Sequence, residues 1–68
     1  MFEHQLSEET IRLIVQAVDV LGGRLAIYAT HNWAIETIEG GRLAFDPVDD
    51  TQHLRDELAF VIAHGHFR

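Results

Sequence analysis

Five histidines and eleven carboxylates are the chemistry-bearing side chains of this 68-residue chain, which has neither cysteine nor lysine. His53 and Glu57 fall one helical turn apart, a spacing at which an imidazole and a carboxylate can share one divalent ion. His64 and His66 form a His-Gly-His that chelates weakly. Glu57 and His64, however, lie about 10 Å apart along a helix axis with Phe60 between them, so no single ion takes all three. A histidine-based metal module is therefore only an alternative reading. The histidines read instead as solvated side chains, with His64 suited to the negative end of a helix.

Nucleophilic catalysis lacks its parts. Ser7, the sole serine, precedes a helical pattern and is the natural N-cap. Gly22-Gly23 follows that helix rather than opening one, the wrong context for cradling a phosphate. A chain this short also struggles to enclose a ligand pocket of several hundred Å³. No catalytic, metal or cofactor site is expected, and the expected function is not enzymatic.

The charge balance narrows the partners. Arginines 12, 24, 42, 55 and 68 never cluster, and the net charge of -6 repels phosphate backbones and anionic membranes. No stretch approaches the ~20 apolar residues of a membrane span. The acidic start MFEHQLSEE is unlike a signal peptide, and with no cysteine the expected location is the reducing cytoplasm.

One domain over residues 1–68 must position these groups. Residues 1–6 form a lead-in. Ser7, with Glu8 and Glu9 in the first turn, starts a helix over 8–21 that Gly22 ends. Leu25–Thr30, Trp33–Ile38 and Leu43–Phe45 read as strands. They are joined by a tight turn at His31-Asn32 and a type I′ turn at Gly40-Gly41. Asp49 or Asp50 caps a second helix from about Thr51 to His64, and Asp49 with Gln52 fits a capping box. The expected fold is α+β: helix, three-stranded antiparallel meander, helix, with both helices on one sheet face and two copies forming a homodimer. A single hairpin between two helices is the alternative.

The dimer follows from surplus apolar surface. In the first helix the polar residues fill an arc only about 100° wide, and a small domain buries only about 60% of its unfolded surface. The dimer contact is expected on the far side of this helix, at Leu13, Ala17 and Val20, with the outer sheet face as the other option. Two-residue turns pair Thr30 with Trp33 and Glu39 with Arg42. Leu25, Ile27, Ala29, Ala34, Ile38, Leu43 and Phe45 then face the core, and Tyr28, Trp33 and Ile35 face outward. Glu36 conflicts with this register. It is a buried carboxylate, or it reaches solvent near a sheet edge, or the pairing is off by one.

The function this pattern predicts is a non-enzymatic, protein-binding regulator that occludes a basic target, with a nucleic-acid-binding protein as the sharpest such expectation. Tyr28, Trp33, Ile35 and Phe60 are the expected anchors, and Asp49, Asp50, Asp56 and Glu57 the acidic rim. Small acidic chains without catalytic motifs recur among phage and mobile-element inhibitors, antitoxins and immunity proteins. That is an analogy of class. A small structural or assembly subunit of a phage-like particle is the other alternative. No direct contact with nucleic acid or membrane is expected.

Overall fold

The computed structural model describes residues 4–68, so the first half of the expected lead-in lies outside the described residues. Helix α1 spans Glu8–Leu21, as the sequence predicts. Ser7 caps it, its hydroxyl accepting the Thr10 N–H at 3.2 Å. Gly22 ends it with φ at 62°, a left-handed conformation that an L side chain rarely adopts. Glu8 and Arg12 pair across one turn at 2.6 Å.

Strands β1 (Arg24–Ala29), β2 (Asn32–Glu36) and β3 (Arg42–Phe45) form an antiparallel meander in the order β1-β2-β3, followed by α2 (Gln52–His64). The single-hairpin alternative therefore falls, because β1 pairs with β2 from Arg24 to Ala29, Tyr28 excepted. The α2 cap is Thr51, whose hydroxyl accepts the Leu54 N–H at 3.1 Å, rather than Asp49 or Asp50. Gly65 closes the helix with φ at 78°.

The main correction concerns β2. Trp33 lies opposite Ile27, not Thr30, and Glu36, not Glu39, lies opposite Arg42. Each register is displaced by three residues, an odd number, so β2 turns over while β1 and β3 keep their expected faces. Trp33 and Ile35 thus join Leu25, Ile27, Leu43 and Phe45 on the helix-bearing face, and Ala34 and Glu36 point the other way. Two local features cause the slip. The first turn falls at Thr30-His31 with an irregularity at Tyr28. The second is a longer loop, in which Thr37 N–H donates to the Gly41 carbonyl and the Thr37 hydroxyl accepts the Gly41 N–H. Only Gly40 of that loop has positive φ, so it is not a type I′ turn. Ile38, expected in the core, sits in this loop and is 93% exposed.

Both helices lie on the same sheet face. Leu6, Ile14 and Ala17 from the α1 side and Leu54, Leu58 and Val61 from α2 converge on Trp33 and Ile35. Leu43, Phe45 and Phe67 pack around this centre. Helix α2 lies toward β3, and α1 lies beside it toward β2.

Candidate functional site

A groove of about 180 Å³ runs between β3 and the first turns of α2, with Leu43, Phe45 and Leu54 as its apolar lining and Asp46, Asp49, His53 and Glu57 among its walls. The fold forces this composition. The turn after β3 must supply Asp and Pro to reverse the chain, and α2 turns its apolar stripe inward, leaving its charged side along the groove. Asp46 accepts the Val48 N–H at 3.0 Å and lies 3.0 Å from His31 Nδ1. The Val48 N–H first, and then His31, hold its carboxyl below the usual range. Asp49 is exposed, and Asp56, also exposed, accepts the Gln52 amide at 2.8 Å.

At the groove's α2 end, Glu57 and Phe60 sit one turn apart on the helix and share an arginine. Arg68 donates from Nε to Glu57 Oε1 at 3.2 Å, and its guanidinium carbon lies 4.2 Å from the centre of the Phe60 ring. His64 stacks on the same ring at 4.2 Å, and His66 meets it edge-on at 5.7 Å. Phe60 is thus half-buried beneath the chain's own C-terminal residues, not the bare anchor the sequence suggested. The cluster holds the Arg68 guanidinium by two contacts, an aromatic face for cation–π attraction and a carboxylate for a charge-assisted hydrogen bond.

Asp50 belongs to the scaffold. Its Oδ2 accepts the Ser7 N–H at 2.8 Å, and its Oδ1 accepts the Thr10 hydroxyl at 2.9 Å and pairs with Arg55. Thr10 is fully buried, so this network ties the start of α1 to the start of α2. The Ser7 N–H first, followed by Thr10 and Arg55, holds the Asp50 carboxyl below the usual range. The expected rim therefore keeps Asp49, Asp56 and Glu57 and loses Asp50 to internal bonding.

Of the expected anchors Tyr28, Trp33 and Ile35, only Tyr28 lies on the outer sheet face, and it is 55% exposed. Trp33 and Ile35 are 7% and 0% exposed and belong to the core, so the folded chain offers neither to a target. Tyr28 donates its hydroxyl to Glu36, while Arg42 stacks over its ring at 5.2 Å. These partners share the sheet face of Ala26, Ala34 and Ala44, on which Ala34 is fully buried. Glu36 also accepts from Arg24 at 3.2 Å. Its Tyr28 and arginine partners lower the Glu36 pKa, and the same bond raises that of Tyr28. Sequence reasoning missed this cluster because it placed Glu36 on the other face. A cleft of about 470 Å³ nearby is lined by Gly22, Gly23, Arg24, Glu36, Thr37 and Ile38. Its charged groups are already paired with each other.

The expected dimer residues divide likewise. Ala17 is fully buried and Leu13 half-buried, whereas Val20, beside Gly65 at the end of α2, is 46% exposed. That flank of α1 meets the other helix. Exposed apolar surface therefore lies on both flanks of α1: Val20 at the end of the α2-facing flank, and Ile11 at 37% and Val15 at 63% on the flank away from α2.

Among the described residues, no group of three or more His, Asp or Glu side chains is placed to hold a metal ion. No helix among them is long and apolar enough to cross a membrane. Compared with protein-family models, with curated proteins and with solved structures, the chain matches none.

Proposed function

We propose that this chain is a non-enzymatic regulator that works as a homodimer and occludes an arginine-bearing surface of a target protein with its α2–β3 wall. The observation that carries this reading is the seat of Arg68, held by the carboxylate of Glu57 and the ring of Phe60. A target arginine takes the same two contacts by displacing Arg68. Asp49 and Asp56 add attraction alongside, and the net charge of -6 speeds encounter with a basic partner. A nucleic-acid-binding protein is the favoured target class, since its phosphate-contacting arginines present the chemistry this wall receives. Small acidic inhibitors, antitoxins and immunity proteins of mobile elements are the analogy of class for such a role. A chain without cysteine suits the cytoplasm for such a role.

The test is affinity capture from the native host with wild-type protein and with a Asp49→Asn, Asp56→Asn, Glu57→Gln variant. The expected result is one basic protein retained by the wild type, lost by the variant, and released as salt rises. Retention that ignores both the substitutions and the salt overturns the reading.

A further inference from the structure

Of the two sheet margins β1 is the less protected: its blunting is confined to Arg24 at one end and the irregularity at Tyr28 at the other, whereas α2 flanks β3. Natural edge strands are blunted by lysine, proline, an inward charge or a covering helix. Arg24–Ala29 contains no proline, lysine or carboxylate. On the helix-bearing face Leu25 and Ile27 are 37% and 41% exposed, because the helices converge on β2 and β3. Ile11 and Val15, on the flank of α1 away from α2, are exposed as well.

We propose that a second copy of this chain pairs antiparallel with the β1 edge, with Ala26 on the two-fold axis, to give a continuous six-stranded sheet. This rests on the homodimer reading above and names its surface. In an isologous antiparallel pair, facing residues share a sheet face, so the axis passes through a residue. An axis through Leu25 sets Ile27 opposite the partner's Gly23, and one through Ile27 sets Leu25 opposite the partner's Ala29. Through Ala26, Leu25 meets the partner's Ile27 twice over, and Arg24 meets the partner's Tyr28. Only this register gives both exposed apolar residues a large apolar mate. The irregularity at Tyr28 bounds the ladder to the same short window. Ile11 and Val15 of each copy then close over the joint from the helix side.

Charge placement favours the same margin. Each copy carries -6, yet Asp49, Asp56 and Glu57 lie on the β3–α2 side. Joining at β1 keeps these carboxylates of the two copies at opposite ends and leaves both target walls free.

With no cysteine in the chain, single substitutions report the register directly. Opposed residues in an antiparallel pair have Cα atoms about 4.5–5.5 Å apart, within disulfide reach. The experiment combines sedimentation of the wild type with mild oxidation of folded Ala26→Cys, Leu25→Cys, Ile27→Cys and Ile38→Cys variants. The wild type is expected to sediment as a dimer, and Ala26→Cys to cross-link alone. Leu25→Cys and Ile27→Cys are expected to cross-link on mixing but poorly by themselves, and Ile38→Cys not at all. Ile27→Glu, which brings extra carboxylates to the axis, should raise the dimer dissociation constant at least about tenfold. A dimer in which Ala26→Cys stays uncross-linked overturns the β1 surface while leaving the homodimer reading intact. A monomer at every concentration overturns both. An open polymer, or cross-linking of Ile38→Cys as fast as Ala26→Cys, also overturns this arrangement.

Discussion

The β1 margin and the β3 margin are the two ends of one small sheet, and they differ in what stands over them. At β3, α2 leans across the edge and brings carboxylates, so the groove there is polar-walled and apolar-floored. At β1 no helix arrives, and Leu25 and Ile27 stay about 40% exposed on a face that is elsewhere core. Two short helices cover about two strands, and β2 and β3 hold the large residues that attract them. The strand left over is therefore apolar without being buried. The lesson is that one limited supply of helix surface creates both a charged wall and an oily edge.

The largest effect tests where the core sits. Trp33→Ala should cost about 3–5 kcal/mol, comparable to what one small core supplies, and leave the chain unfolded by circular dichroism at room temperature. Ile27→Ala, measured at protein concentrations low enough to keep copies apart, should cost about 1 kcal/mol or less because its site is already open. Equal losses at the two positions would mean that β1 is covered after all. Next comes the clamp between the helix starts. Thr10→Val should lower stability by about 1 kcal/mol in urea unfolding, through loss of the hydroxyl bond to Asp50; a neutral result would make the clamp incidental.

The pH response carries a definite sign. Asp46 and Asp50, both on the β3–α2 side, and Glu36 all have folded pKa values below their unfolded ones. Their contribution is complete above the ordinary carboxylate range of about 4 and drains away as pH falls through the lower folded values. The melting temperature should therefore drop on acidification, and Asp50→Asn should flatten that drop. A melting temperature that rises into acid contradicts these assignments. The smallest stability effect belongs to Arg68→Ala. Removing this half-exposed pair should cost less than about 1 kcal/mol, yet it uncovers Glu57 and Phe60. Binding of an arginine-rich probe peptide, followed by calorimetry, should tighten, whereas Arg12→Ala should change neither quantity. If removing Arg68 weakens the peptide's binding, the β3–α2 wall is not a guanidinium seat.

Much of this architecture is legible in the chain because local chemistry fixes it. Ser7 and Gly22 bracket α1, Gly65 ends α2, and alternating apolar residues mark β1 and β3. What escaped reading was the facing of β2, since register depends on how many residues each turn consumes. The Thr37 hydroxyl closes a loop longer than the Gly-Gly pair suggests, and the Tyr28 irregularity takes up one residue more. Those two offsets reverse a single strand and exchange Trp33 and Ile35 for Glu36. The same limit hid which flank of α1 is surplus: Leu13 and Val15 are equally greasy, and only the position of α2 separates them. At the candidate site, Glu57 and Phe60 were visible as a helical pair. Arg68 was not visible as their occupant, because a chain end that folds back leaves no periodic mark.

Trp33, the sole tryptophan, lies 7% exposed on the central strand between His4 and Phe45. The protein thus carries its own optical gauge of core integrity. Indole emission shifts to longer wavelength when the interior opens to water, so unfolding can be followed in one cuvette without a label.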